Sequence, residues 1–204
     1  IVNSARVSFG KHKEQIDGKD RRLIRYLIKH KHTSTFEHNV ATFRFVVPLC
    51  VRSQHHRHRT WSYNEISRRY TDENLRFYEP QTFRTQHKSN RQASNKDQLV
   101  DPLVGELKDS ASSVIKEHHE ASIFLYDTLL NAGVCREQAR GVLPQNLYTA
   151  YYGTCNLNNL LKFVMLRVHE GAQWEIQQVA YACLEIAEEL WPETISAYRQ
   201  INKF

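Results

Sequence analysis

The sequence is informative first for what it lacks. It holds only seven glycines in 204 residues, and none of them build a G-x-G-x-x-G or Walker-type loop. Rossmann units and P-loops need such glycines for the tight turn and for close approach of backbone N–H groups to phosphate, so neither is expected here. The four cysteines, Cys50, Cys135, Cys155 and Cys183, contain no C-x-x-C pair. That argues against a zinc ribbon and against a small disulfide scaffold. No apolar run approaches the roughly 20 residues of a membrane span, so no membrane partner is expected. Internal repeats, low-complexity tracts and clear linkers are missing too.

What is present describes a globular protein. Apolar residues make up 41% and charged residues 25%, enough for one domain with a real core. We expect a single domain over residues 1–204. The chain starts at Ile1, and Val2-Asn3-Ser4-Ala5-Arg6 reads like the interior of a longer sequence. Further N-terminal residues are therefore expected. Scattered thiols fit a reducing cytosol and thus a cytoplasmic location. All four cysteines read as small buried hydrophobes. The net charge of +6 points to an anionic partner without separating nucleic acid from nucleotides.

Periodicity places the elements. Lys19 to His32 predicts an amphipathic helix, with Leu23, Ile24, Leu27 and Ile28 opposite Arg21, Arg22, Arg25 and Lys29. Asn39 to Val47 predicts a strand with Ala41, Phe43, Phe45 and Val47 on one face. A short helix is expected from Leu49 to His58. Thr71 to Asn95 has no period, and its second half reads as a mobile loop. A long helix is expected over Gln98 to Asn131, on Leu99, Leu103, Leu107, Val114, Ala121, Leu125 and Leu129, stopped by Gly133. Arg136 to Leu143 is a further short helix. Asn146 to Thr154 is β-leaning. Asn156 then reads as an N-cap for a helix with Leu157, Leu160, Leu161 and Val164 on one face. Ala172 to Leu190 is the last predicted helix, closed by Trp191-Pro192. The sum is an α+β fold with several helices around a small sheet.

One stretch stands apart. Arg57 to Tyr70 packs four arginines, His58 and Glu65 among Trp61, Tyr63 and Tyr70. Planar guanidinium forks match phosphate and carboxylate geometry. The composition suits an anion that carries a flat ring. Two other readings compete. Ser62-x-x-Glu65 fits a helix capping box, with Glu65 and Arg69 as an i,i+4 pair. The interleaved basic and aromatic residues of Arg57–Tyr70 and Phe77–Arg91 also suit a basic single-stranded nucleic-acid-binding module. A homeodomain, zinc-finger or RRM signature is lacking. The histidines His30, His32, His38, His55, His56 and His58 follow no metal-ligand spacing such as H-E-x-x-H, so no metal is expected.

Arg57-His58-Arg59, seven residues, then Ser67 resembles the R-H-R-x7-S signature of flavin-dependent thymidylate synthases. Ala5–Phe9, Thr35–His38, Asn64–Ser67 with Arg69-Tyr70, Val142–Pro144 with Asn146–Tyr148, and Ala172–Gln177 resemble blocks of that family in family order. No Pro-Cys-His segment of the cysteine-dependent thymidylate synthases occurs. The resemblance implies a homotetramer of the thymidylate synthase-complementing type, with a twisted sheet and active sites shared between subunits. It implies reductive methylation of dUMP to dTMP, with FAD as cofactor and NADPH and 5,10-methylenetetrahydrofolate as co-substrates. Nucleic acid is then not an expected partner.

The resemblance also implies roles by position. Gln54, Arg57, Glu65, Ser67, Arg68, Arg69, Arg140 and Arg167 fall at dUMP positions, with Arg167 as the catalytic cation on the uracil. Ser8, Ser34, Glu37, Arg57, His58, Arg59, Glu65, Asn156, Asn158 and Lys162 fall at FAD positions. His32 falls near the folate pocket. Four positions depart from the family pattern. Ser34 stands where Thr is common, Thr35 where Pro is frequent, Asn158 where Arg is frequent, and Gly171 where His is frequent.

Overall fold

The computed structural model describes residues 1–203, the Lys96 side chain excepted, so Phe204 of the expected domain lies outside the described residues. In chain order the elements are α1 (Val2–Arg6), α2 (Gly18–Lys29), β1 (Val40–Pro48), α3 (Leu49–His55), β2 (Ser62–Glu65), β3 (Phe83–Gln86) and β4 (Ser94–Leu99). Then come β5 (Leu103–Val104), β6 (Asp109–Ser110), α4 (Ala111–Asn131), α5 (Arg136–Ala139), β7 (Tyr148–Asn156), α6 (Leu157–Arg167), α7 (Trp174–Leu190) and α8 (Pro192–Asn202). The three-stranded sheet has the order β1-β7-β2, and β3-β4 and β5-β6 form separate two-stranded sheets. The α+β reading holds.

The chain forms two compact units by its own contacts. One contains residues 1–43, 58–62 and 153 onward, and the other residues 44–57 and 63–152. In the first, α2 opens on a capping box. The Asp17 carboxylate accepts from the Lys19 and Asp20 backbone N–H groups, and Asp20 accepts from the Asp17 N–H. Orphan donors at the helix start are thereby satisfied reciprocally. Asp20 is fully buried and ion-paired with Arg6 and Lys13. Ile24 and Leu27 face inward, as their spacing predicts. Leu157, Leu160, Phe163 and Val164 of α6 lie in the core with Ile176, Ala180 and Leu184 of α7. Tyr198 of α8 donates its hydroxyl to the Leu161 carbonyl at 3.0 Å. The sequence missed α8 because Trp191-Pro192 looked like a stop. Pro192 instead occupies the first turn, where its missing N–H costs nothing.

In the second unit, α3 follows directly from β1. Val51 and His55 of α3 are buried. His55 Nδ1 lies 2.8 Å from the Tyr151 hydroxyl, and Phe45 stacks on Tyr151 at 4.9 Å between centroids. Two expectations fail here. Part of the supposed mobile loop is the β3-β4 hairpin, with Phe83 paired to Leu99 and Arg84 to Gln98. The long helix begins only at Ala111, capped by Ser110, whose hydroxyl accepts from Ser113 N–H. Pro102 and the positive φ of Gly105 (69°) keep the preceding residues in turns and short strands. The apolar stripe that suggested an earlier start is not core, since Leu103 is 65% and Leu107 87% exposed. The inward face of α4 is Ala111, His119, Ser122 and Tyr126.

Two substitutions check this architecture by urea unfolding. Leu160→Ala should cost about 2–5 kcal/mol, as for a fully buried leucine. Ser110→Ala should cost about 1 kcal/mol if Ser110 caps α4. A Ser110→Ala protein with wild-type stability would mean that the helix starts elsewhere.

Candidate active site

The Arg57–Tyr70 stretch is not a helix start. Ser62–Glu65 is a strand, and Ile66 N–H donates to the Ala150 carbonyl at 2.9 Å. The capping-box reading fails because tertiary pairing claims these residues. Glu65 consequently takes a partner other than Arg69. Arg52 of α3 donates from Nε to Glu65 Oε1 at 2.9 Å and from its terminal nitrogen to Oε2 at 2.8 Å. The Thr149 hydroxyl of β7 donates to Oε1 at 2.7 Å. Neither Arg52 nor Thr149 was a sequence candidate. They lie 13 and 84 positions from Glu65, and no short-range pattern marks either.

After Glu65 the chain turns. The Ser67 carbonyl accepts from the N–H groups of Tyr70 at 3.0 Å and Thr71 at 3.3 Å. Ser67 Oγ accepts from Arg69 N–H. Arg68 is tied down, donating to the Glu73 carbonyl at 2.6 Å, and burial lowers its pKa. Arg69 is exposed and lies over the Tyr70 ring. These two line a cleft of about 400 Å³ with Cys135, Arg136 and Glu137, of a size for small ligands. Arg136 is paired with Asp72 at 2.7 Å. Gln54 and Arg57 sit at the end of α3 and just past it, linked by Arg57 N–H to the Gln54 carbonyl. Arg140 follows α5 and is exposed.

The remaining candidates lie in the other unit. Arg167, the last residue of α6, donates from Nε to His58 Nε2 at 3.0 Å. His58 stands edge-on to Phe163. Burial, then the Arg167 charge, lowers the His58 pKa to about 4. The imidazole is therefore neutral near pH 7 and accepts at Nε2, which puts its proton on Nδ1. Burial also lowers the Arg167 pKa.

Glu37 accepts from Asn158 Nδ2 at 2.8 Å. Asn158 is buried, so Asn keeps a hydrogen bond there without bringing a charge. Asn156 caps α6 by accepting from Asn159 N–H, as its position predicts. Thr35, at the frequent Pro position, is buried and donates to the His32 carbonyl. Gly171 donates its N–H to His169 Nδ1. His32 clusters with His30 and with Tyr26, of which the sequence did not single out Tyr26. Ser8, Ser34, Arg59 and Lys162 are exposed.

Two of the thiols are poorly suited to act as nucleophiles. Cys155 and Cys183 are buried, and burial pushes both pKa values up. The expectation of four buried cysteines fails at Cys135, which is exposed, and at Cys50, which is half-buried. Among the described residues no group of three acidic, His or Cys side chains could hold a metal ion. No helix among them is long and apolar enough to cross a membrane.

Comparison with known proteins gives a consistent picture. The family model for thymidylate synthase complementing protein matches residues 1–193. A flavin-dependent thymidylate synthase of Thermus thermophilus is 43% identical over 201 residues, covering 98% of this chain and 71% of that protein. That of Thermosipho melanesiensis is 41% identical over 201 residues, covering 98% and 85%. The solved UMP/dUMP methylase PolB of Streptomyces cacaoi, bound with 5-Br dUMP, is 32% identical with a TM-score of 0.81, covering 98% and 88%. With its family model matched over nearly its whole length, the chain belongs to the thymidylate synthase complementing protein family.

Proposed function

We propose that this protein is a flavin-dependent thymidylate synthase, which reductively methylates dUMP to dTMP. FAD is its cofactor, 5,10-methylenetetrahydrofolate the carbon donor and NADPH the reductant. The observation that carries the reading is Arg167 held by a neutral histidine of the R-H-R motif. On this reading the protein is a cytoplasmic homotetramer, in keeping with four free thiols.

The residues divide by chemistry. Gln54, Ser67, Arg69 and Arg140 supply donors for the dUMP phosphate. Each charge-assisted hydrogen bond to such an anion contributes about 1.5–3 kcal/mol. Arg57, Glu65 and Arg68 complete the nucleotide side. The other unit fits a flavin dinucleotide by its donor set. Arg59 and Lys162 are exposed cations suited to a pyrophosphate, and Ser8 and Ser34 offer hydroxyls. His58, Glu37, Asn156 and Asn158 belong to the same unit and complete the flavin side, and His32 serves the folate. FAD, when bound, supplies the hydride chemistry.

Arg167 is the catalytic residue. The contact with His58 orients it through a neutral acceptor. A cation at the uracil stabilises negative charge on the ring and makes C5 more nucleophilic. That removes the need for an enzyme thiol, consistent with the raised pKa values of Cys155 and Cys183.

Purified protein should be yellow, dUMP should perturb its flavin spectrum, and dTMP should form with folate and NADPH. Colourless protein that takes up no FAD and makes no dTMP would sink the reading. Arg167→Ala should lower kcat about 10²–10³-fold with little change in unfolding midpoint. Normal turnover would remove Arg167 from its role.

A pH experiment tests the His58 contact. Its pKa in the fold is about 4, against 6.5 for a free imidazole. Above the higher value both folded and unfolded chains carry neutral His58. As pH falls toward 4 the unfolded chain takes up the proton first, so stability is lost across this window. His58→Gln keeps an acceptor for Arg167 but does not titrate. Its thermal midpoint should therefore fall less steeply with acid over that window than wild type. Parallel curves would show that His58 is not buried against Arg167.

A further inference from the structure

We infer that Arg52, with Thr149, is a positioning residue. It holds Glu65 so that the Ser67–Arg69 turn stays open to an anionic phosphate. The inference rests on reading that turn as part of the dUMP site.

The geometry is specific. Two nitrogens of Arg52 meet the two oxygens of Glu65 at 2.9 and 2.8 Å, a fork-to-fork pair that fixes direction as well as distance. Thr149, itself buried, adds a third donor to the same carboxylate. Three elements meet on one side chain: α3, which carries Gln54, β2, which leads into the turn, and β7. Where Glu65 leaves the sheet, Ser67 and Arg69 begin only two and four residues later. A drift of Glu65 therefore moves the turn relative to the helix of Gln54.

Charge gives a second reason. Left unpaired, the Glu65 carboxylate would add a negative charge only two to four residues before Ser67 and Arg69. In the structure Arg69 pairs with no carboxylate among the described residues. Its contacts are the Tyr70 hydroxyl at 3.3 Å and the Tyr70 ring. Arg52 cancels the Glu65 charge and leaves Arg69 unneutralised. An anion approaching the turn then meets Arg69 without competition from Glu65.

The pair is only partly buried, with Arg52 31% and Glu65 19% exposed. Removing Arg52 therefore leaves a partly buried charge without its partner, and the milder Arg52→Lys and Thr149→Val variants separate positioning from folding.

The test is titration of the FAD-loaded protein with dUMP and, in parallel, with phosphate-free deoxyuridine, followed by flavin absorbance. Arg52→Gln should raise the dUMP Kd about 10- to 100-fold, the scale of an ångström-size misplacement of binding groups. Deoxyuridine binding and kcat at saturating dUMP should change far less. Arg52→Lys, which keeps the charge and loses the fork, should fall between. Thr149→Val should weaken dUMP in the same direction by less, and it supplies the answer if Arg52→Gln does not fold. An unchanged dUMP Kd in these variants overturns the inference while leaving the functional reading intact. Equal weakening of dUMP and deoxyuridine also overturns it, because that marks a general structural defect. A wild-type protein whose flavin does not respond to dUMP overturns the functional reading itself, and the inference with it.

Discussion

The proposed nucleotide side depends on how one carboxylate is satisfied. Glu65 sits half-buried at the end of β2, where an unpaired charge would be costly. Arg52 and Thr149 meet that cost with three donors. The consequence reaches beyond Glu65. With this acid neutralised, the arginines that follow it keep their charge. Arg68 is anchored on a backbone carbonyl, and Arg69 lies on an aromatic ring and pairs with no carboxylate among the described residues.

The helices that follow a 3.6-residue apolar period were legible because packing and pattern agree. In α2 and α7, Ile24, Leu27, Ile176, Ala180 and Cys183 are buried where spacing puts them. The start of α4 was misread because Leu99, Leu103 and Leu107 imitate that period by chance. Pro102 and Gly105 were the better signals, since one removes a donor and the other takes a positive φ. The inward face of α4 carries His119 and Ser122, and a polar inner face has no hydrophobic period to read. The β3-β4 hairpin was missed for a related reason. Its strands are polar, and without alternation only pairing reveals them.

The candidate residues stand out singly in the sequence, and their contacts do not. The R-H-R-x7-S spacing marks Arg57, His58, Arg59 and Ser67. It does not show that Glu65 prefers Arg52 to Arg69, because that choice follows from Ser62–Glu65 being a strand beside β7. Local sequence favoured a helix cap and tertiary structure overrode it. Asn158 illustrates the reverse. As a departure from the family pattern it invited concern, yet its amide still reaches Glu37.

Glu65 and Arg167 solve opposite problems by opposite means. An anion-binding surface must silence its own acids and leave its cations active. Glu65 is an acid near the turn, and a full cation cancels it. Arg167 is the cation assigned to chemistry, and its partner must orient it without cancelling it. A carboxylate would hold the guanidinium just as well but would neutralise the charge that the proposed uracil contact uses. A neutral imidazole, edge-on to Phe163 and kept unprotonated by burial and by Arg167 itself, gives direction without opposite charge. The contact is self-reinforcing near neutral pH, since the cation it orients is one cause of its neutrality. The same feature sets its limit: enough acid to protonate His58 turns the acceptor into a second cation, and the orientation of Arg167 is lost with it.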